Sequence, residues 1–219
     1  MIAIELTSKT IDSLRTSDTG EEAITMMGVF HVKHLPIVNN EQLLGLISEE
    51  DILDKNMDEA IGSYRLSMIK PYVNQNDHLF EVMKLMAQHK LTVVPVIDHD
   101  KKYLGLITQE DLISYFAVSF SFAEAGSIII IETDKINYSL SEISRIVEGE
   151  GATILATFLT RMMDSTRIQI TLKINQMSVS RIVASLERFD YQIHGAFTED
   201  DYEDVLKNRY DSLMSYLNV

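Results

Sequence analysis

Two stretches of the chain repeat the same order of apolar and polar positions. Residues 18–53 align with residues 77–113, first at an offset of 59 and, after one extra loop residue in the second stretch, at an offset of 60. The matched pairs are Asp18 and Asp77, Met27 and Met86, Pro36 and Pro95, Gly45 and Gly105, Ser48 and Thr108, and Asp51 and Asp111. The preserved order indicates an internal duplication.

Each copy predicts the same four elements. Apolar residues at helical spacing follow Asp18 and Asp77, which are expected to be the N-caps of the first helices. A short apolar strand comes next, LPIV in one copy and VVPVI in the other, and a polar turn joins it to a second strand. Two short strands with a polar turn between them are typical of a hairpin.

A second helix is predicted where each hairpin ends. Ser48 and Asp51, like Thr108 and Asp111, fit the pattern in which a hydroxyl and an acid three residues later cap a helix N-terminus. A unit of this size leaves an apolar sheet face uncovered, so we expect the two copies to pack against each other.

The pattern changes after Gly126. Apolar runs and alternating stretches predict four strands, and two amphipathic stretches predict helices between them. The strands are 127–132, 153–160, 167–174 and 191–197, and the helices are 139–149 and 178–189. The order βαββαβ predicts a ferredoxin-like antiparallel sheet covered by two helices. Residues 198–219 read as a further helix, which either packs on its own domain or contributes a dimer contact.

Composition narrows the classes of function. The 219 residues include 33 acidic and 19 basic side chains, for a net charge of −14, and both halves of the chain are acidic. This balance disfavours nucleic acid, whose phosphates require clustered Lys and Arg. There is no cysteine, so disulfides, thiolate metal sites and cysteine nucleophiles are excluded. With no signal-like or membrane-spanning run, we expect a cytoplasmic protein without membrane association.

The repeated motif resembles the CBS domain. The residues that carry the resemblance are LPIV followed by GLISEEDI, and VPVI followed by GLITQEDL. The chain is therefore expected to be α/β (α+β), with CBS repeats at 1–60 and 61–121 forming a tandem pair (a Bateman module). The βαββαβ unit at 126–197 resembles an ACT domain, and 198–219 is a helical tail. This order of parts is similar to the AcuB-like proteins of acetoin utilisation.

The CBS resemblance implies a regulatory ligand that contains adenosine: AMP, ATP or S-adenosylmethionine. A helix N-terminal Asp beside a capping hydroxyl can accept hydrogen bonds from both ribose hydroxyls. The implied ribose ligands are Thr108 and Asp111, which match the motif more fully, and Ser48 and Asp51. The implied adenine slot lies near Val93, Val94 and Pro95, or near His34, Leu35 and Pro36.

The junction motif and the basic residues of the pair both have alternative interpretations. A hydroxyl and an acid at a strand-to-helix junction also form an ordinary cap that binds nothing. Candidate phosphate ligands are Arg65, Lys70 and Lys33, although a solvated surface charge is the favoured interpretation of each. The scarcity of basic residues in the pair favours AMP, adenosine or a cationic adenosyl ligand over ATP.

The ACT-like unit departs from its family in the loop after its first strand. Amino-acid-binding ACT domains usually carry a glycine there, whereas this loop reads TDKINYSL. A dimerising role is therefore favoured over amino-acid binding. If a ligand binds there, Asp134, Lys135 and Asn137 are the first candidates.

These observations predict a non-catalytic regulatory protein, with no required cofactor and a homodimeric assembly. His31 and His34 have no third ligand nearby in the pattern, so no metal site is predicted. The alternatives are a dimerising scaffold without a ligand and, less favoured, a small enzyme that uses the junction carboxylates. The residues do not specify which protein is regulated.

Overall fold

The computed structural model describes residues 1–64, 71–119, 121–122, 124–162, 165–198, 214 and 216. The chain forms two compact units, residues 1–115 and 116–219. Two of the candidate phosphate ligands, Arg65 and Lys70, lie outside the described residues. Nearly all of the predicted tail helix, residues 198–219, lies outside them as well.

The first unit contains the duplicated elements. Its helices are α1 (Ala3–Leu6), α2 (Gly20–Val29), α3 (Glu49–Leu53), α4 (Leu79–His89) and α5 (Gln109–Ser119), the last of which continues past residue 115. Its strands are β1 (His34–Asn39), β2 (Gln42–Ser48), β3 (Val73–Asn74), β4 (Val93–Ile97) and β5 (Tyr103–Thr108). A 3₁₀ turn covers Ile61–Ser63.

Both predicted hairpins are confirmed, and they share their irregularities. β1 pairs antiparallel with β2, and β4 pairs antiparallel with β5, while β3 lies parallel to β4. The register shifts between Ile37 and Val38 in the first hairpin and between Val96 and Ile97 in the second. These two positions are 59 residues apart, so the duplication extends to the backbone geometry.

The prediction that Asp18 and Asp77 are N-caps is wrong by a single position. Thr19 caps α2 and accepts from the amide of Glu22, and the ring of His78 caps α4 by accepting from the amide of Phe80. The two aspartates instead close the preceding turns by accepting from the amides of Arg15 and Asn74, each at 2.7 Å. A short acid can satisfy a turn amide as readily as a helix amide.

Apolar side chains from both copies form the core of the first unit. β4 is buried along its whole length, and the middle of β1 is buried as well. From the helices, Ala23 and Met27 of α2 and Val82 and Met86 of α4 are buried at the predicted helical spacing. The amphipathic pattern of the sequence therefore identifies the inward faces of both helices correctly.

The second unit has the predicted βαββαβ order. Its elements are β6 (Ser127–Asp134), α6 (Leu140–Gly149), β7 (Ile154–Arg161), β8 (Arg167–Ile174), α7 (Ser180–Arg188) and β9 (Gln192–Phe197). The sheet order is β7-β8-β6-β9, with every neighbouring pair antiparallel. This is the ferredoxin-like arrangement, so the predicted fold class is confirmed.

One face of this sheet and the two helices enclose the core of the second unit. Ile129 and Ile131 of β6 pack with Ile143 and Val147 of α6 and with Leu186 of α7. The alternate positions of β6, Ile128 and Ile130, belong to the opposite face and are half-buried. Burial thus alternates along β6, although its sequence is a run of four isoleucines, because helices cover only one side of the sheet.

Candidate functional site

The two strand-to-helix junctions have the same geometry. At the end of β5, the Thr108 amide and hydroxyl donate to Oδ2 of Asp111 at 2.9 and 2.7 Å, and the Asp111 amide donates to Thr108 Oγ1 at 2.9 Å. At the end of β2, Ser48 and Asp51 make the same three bonds at 3.1, 2.7 and 3.1 Å. Both pairs are reciprocal capping boxes, which satisfy helix amides that have no intrahelical partner.

Capping leaves acceptor capacity on the Asp111 carboxylate. An ionised carboxylate offers about four lone-pair sites on two oxygens. The two bonds from Thr108 both fall on Oδ2. The cap and a ligand contact are therefore chemically compatible.

A cavity of about 290 Å³ lies beside Thr108 and Asp111. Four separate segments of the first unit line it: the N-terminal segment, the end of α2, the residue before β4, and the start of α5. The lining residues are Ser8, Thr10, Ile11, Phe30, His31, Val32, Thr92, Thr108, Gln109, Glu110 and Asp111. Both repeats therefore contribute to one concave site.

The N-terminal segment reaches this cavity by pairing with β5. The Ser8 amide donates to the carbonyl of Leu106 at 2.8 Å, and the Leu106 amide donates to the carbonyl of Ser8 at 3.2 Å. The preceding residue, Gly105, has a φ of +151° and lies directly against this segment. The glycine of the repeated motif thus allows the chain to pass close enough to place Ser8 and Thr10 in the wall.

None of the six predicted adenine-slot residues is among the residues that line the cavity. Val93, Val94 and Pro95 are buried within β4, and the residue that reaches the cavity from this strand end is Thr92. In the other repeat Leu35 and Pro36 are buried within β1. Half-buried His34 contacts Thr92, with 3.1 Å between Nδ1 and Oγ1.

Sequence reasoning missed most of the cavity wall. Ser8, Thr10 and Ile11 precede the repeat, so no internal comparison identifies them. His31 has a φ of 52° and Lys90, 59 residues later, has a φ of 53°, so this correspondence is visible in the structure and not in the sequence. A shared left-handed residue at the end of each first helix marks a structural position of the repeat.

Lys33 lies near the other junction. Its Nζ is 3.9 Å from Oε2 of Glu49, the first residue of α3, and its side chain is 73% exposed. An exposed pair at this distance contributes little to stability. Lys33 is therefore available to a ligand near Ser48 and Asp51, where its role stays a prediction.

The candidate loop of the second unit lies beside a separate cavity. Asp134 and Lys135 line it together with Ile136 and Thr166, and its volume is about 580 Å³. The Thr166 hydroxyl donates to Asp134 Oδ1 at 3.2 Å, and the Lys135 amide donates to the Thr166 carbonyl at 3.0 Å. Asn137 ends the 3₁₀ turn in this loop, and Ile136 is 93% exposed.

One cluster in the described part of the chain has metal-compatible spacing. Ligand atoms of Asp98, His99 and Asp100, in the turn between β4 and β5, lie within 4.8 Å of one another. Asp98 Oδ1 already accepts from the amides of Asp100 and Lys102, each at 2.8 Å. These bonds account for the aspartate as a turn residue.

The family model for the CBS domain matches the chain twice, over residues 3–58 and 63–118. Among curated proteins, inosine-5'-monophosphate dehydrogenase of Methanocaldococcus jannaschii is 27% identical over 114 residues, 51% of this chain and 23% of that protein. The Bacillus subtilis dehydrogenase is 27% identical over 131 residues, 51% of this chain and 26% of that protein. The chain thus spans about a quarter of the length of these relatives.

Among solved structures, a CBS domain pair/ACT domain protein from Thermotoga maritima is 18% identical, with a TM-score of 0.48. The similarity covers 53% of this chain and 96% of that one. Within the described residues, no helix combines the length and apolar character needed to cross a membrane.

Proposed function

Because this chain belongs to the CBS-domain family, we propose that its first unit binds an adenosine-containing ligand and serves as a non-catalytic sensor. The observation that carries the proposal is the cavity of about 290 Å³ in which Thr108 and Asp111 of one repeat face Phe30, His31 and Val32 of the other. A ligand in this cavity would contact both repeats. It would favour whichever arrangement of the repeats it binds more tightly.

The ribose is assigned to Asp111. Vicinal hydroxyls are paired donors, and an ionised carboxylate accepts from both with charge-assisted bonds. Thr108 holds this carboxylate in place through the cap, so little side-chain freedom is lost on binding. The same argument applies, as a second assignment, to Ser48 and Asp51.

The base is assigned to the apolar part of the same cavity. Ile11, Phe30 and Val32 offer the apolar surface, and Thr92 offers polar groups at its edge. We assign Val93 to Pro95, which follow Thr92 in the chain, to bind the base through their backbone groups. A flat heterocycle fits this combination of apolar walls with a few polar groups.

Charge at the cavity favours a ligand with little negative charge. Of the described residues that line it, Glu110 and Asp111 are acidic, and none is Lys or Arg. A triphosphate would therefore meet repulsion without a nearby compensating cation. We rank adenosine, AMP and S-adenosylmethionine above ATP on this basis.

Isothermal titration calorimetry with these four compounds tests the proposal. We expect at least one of them to bind the wild-type chain, and Asp111→Asn to weaken it by roughly tenfold, the loss of one charge-assisted bond. The asparagine can still accept from Thr108, so folding is preserved. Asp100→Asn, an exposed acid in the β4–β5 turn, is the matched control and should leave Kd unchanged.

The titration also separates the alternatives. A stoichiometry of two sites per chain would add the Ser48 and Asp51 junction to the proposal. If none of the four compounds binds, the result favours the alternative function, a dimerising scaffold without a ligand. Catalysis by the dehydrogenase relatives does not transfer, since the matched region is about a quarter of those proteins.

For the second unit we propose an ACT-like homodimerisation role, in an order of parts similar to that of the AcuB-like acetoin-utilisation proteins. The observation in its favour is the half-buried apolar face that carries Ile128 and Ile130, opposite the helix-covered core. Light scattering after gel filtration should give about twice the 24.9 kDa of one chain. Ile130→Glu should yield monomers, whereas Glu124→Lys, an exposed site outside the sheet, should not.

A further inference from the structure

The two repeats meet at a histidine and a threonine. The Thr92 amide donates to His34 Nδ1 at 3.3 Å, and Thr92 Oγ1 lies 3.1 Å from the same nitrogen. The Lys33 amide donates to Thr92 Oγ1 at 2.9 Å. The start of β1 is therefore bonded to the residue that precedes β4, across the junction of the duplication.

These contacts specify the protonation state of the imidazole. A backbone amide can only donate, so Nδ1 of His34 must present its lone pair to Thr92. The ring is then neutral and carries its proton on Nε2. A proton on Nδ1 would face the Thr92 amide hydrogen and remove that bond.

Thr92 connects the histidine to the cavity. Thr92 itself lines it, and its carbonyl accepts from the amide of Gln109 at 3.0 Å. Gln109 is the first residue of α5, next to Thr108, and its side chain donates to the carbonyl of Leu91 at 2.9 Å. The bonds therefore run from His34 through Thr92 to the helix start that presents Asp111.

We propose that His34 is a positioning residue for this cavity: its neutral ring holds Thr92 in the wall, and protonation of the ring releases Thr92 and weakens ligand binding. The inference rests on the proposed function, since it concerns the same cavity. Through His34, a residue of the first repeat, pH would change the affinity of the cavity for its ligand.

The surroundings of His34 shift the protonation of its ring to lower pH. Burial lowers the pKa of His34 below its ordinary value of 6.5. Asp51 and Glu50 on α3 act in the opposite direction, and Lys33 adds to the lowering. His34 therefore gains its proton at a lower pH than an ordinary histidine does.

The other half of the duplication lacks this pair. At an offset of 59, Val93 stands in the place of His34 and Lys33 stands in the place of Thr92. The contact between His34 and Thr92 therefore has no counterpart at the equivalent positions of the duplication.

Adenosine titrations at pH 5.0 and pH 7.5 test the proposal in the chain of 219 residues. Adenosine is the probe because a phosphate monoester itself titrates near about pH 6. We expect the wild-type Kd to rise roughly twofold or more at pH 5.0, because the binding-competent fraction falls. His34→Asn keeps an acceptor near the Nδ1 position but has no ring to protonate, so its Kd should be the same at pH 5.0 and pH 7.5.

Two further variants isolate the effect. His34→Leu removes the acceptor and should bind adenosine weakly at both pH values. His99→Asn, an exposed histidine in the β4–β5 turn, should respond to pH as the wild type does. An unchanged wild-type Kd between the two pH values, or a pH response that persists in His34→Asn, would overturn the proposal.

A ligand-free measurement keeps this inference separate from the proposed function. In an NMR pH titration, the Thr92 amide resonance should move with the same midpoint as the His34 ring. If adenosine does not bind at either pH, the assignment of adenosine to this cavity fails, and the NMR titration decides on His34 alone. A Thr92 amide that does not follow the His34 midpoint overturns the role of His34.

Discussion

The backbone of Gly105 lies directly against the carbonyl oxygen of Ser8. A Cβ at Gly105 would come within 2.7 Å of that oxygen and 2.5 Å of Thr7 Cγ2. The glycine also has a φ of +151°, a conformation that other residues rarely adopt. A side chain at this position in β5 would therefore displace the N-terminal segment that lines the cavity.

Gly105→Ala should therefore destabilise the first unit. We expect a loss of about 1–3 kcal/mol, the usual effect of forcing atoms into a packed site, together with weaker ligand binding. Urea denaturation and titration calorimetry measure the two effects. Gly28→Ala is the control, because no atom lies within 4 Å of its added Cβ and alanine favours the interior of α2. Equal stability of the two variants would contradict the assigned role of Gly105.

Ser48→Ala should lower the stability of the first unit through the loss of its cap. Ser48 accepts from the amide of Asp51, which has no partner within α3. Removing an N-cap hydroxyl costs about 0.5–2 kcal/mol. Ser119→Ala, at the exposed end of α5, should change the free energy of unfolding much less. A negligible loss in Ser48→Ala would show that the cap seen here does not stabilise α3.

The pairing of Glu132 with Arg167 should stabilise the second unit. The Glu132 side chain is 11% exposed and lies 3.0 Å from Arg167 and 3.5 Å from His194. Arg167→Ala leaves this acid with less compensation, so we expect a loss of about 1–3 kcal/mol in urea denaturation. Lys84→Ala breaks an exposed pair with Glu81 and should cost less than about 1 kcal/mol. A larger loss of stability in Lys84→Ala than in Arg167→Ala would refute this assignment.

Tyr191 should make the second unit sensitive to alkaline pH. Burial, followed by the 2.8 Å bond that its hydroxyl donates to Glu142, raises the pKa of Tyr191 to about 12. Because the folded pKa exceeds the unfolded value of about 10, the stabilisation is complete below pH 10 and is lost as the pH rises towards 12.

Thermal unfolding across this range measures the effect of Tyr191. The wild-type Tm should fall between pH 10 and 12, and Tyr191→Phe should have a shallower dependence. Glu142→Gln keeps an acceptor without the charge and should lie between the two. If Tm falls with pH equally steeply in all three proteins, Tyr191 is not the source of the sensitivity to alkaline pH.

The local pattern of the sequence was sufficient to predict the fold class. The duplicated hairpins, the capping boxes at Ser48 and Thr108, and the βαββαβ order all follow from contacts between residues close in sequence. The misplaced caps show the limit of such reasoning. Asp18 and Thr19 are adjacent and have similar capping chemistry, and only the path of the backbone decides which one meets the helix amide.

The sequence by itself determined the repeats, their strands and helices, and the two acids that recur at one repeat position. Only the tertiary structure decided which residues form the cavity wall, because Ser8, Phe30 and Thr92 come from distant parts of the chain. The contact of His34 with Thr92 is likewise a product of packing, since 58 residues separate the two. Periodicity records which side of an element is buried, whereas a cavity depends on how separate elements meet.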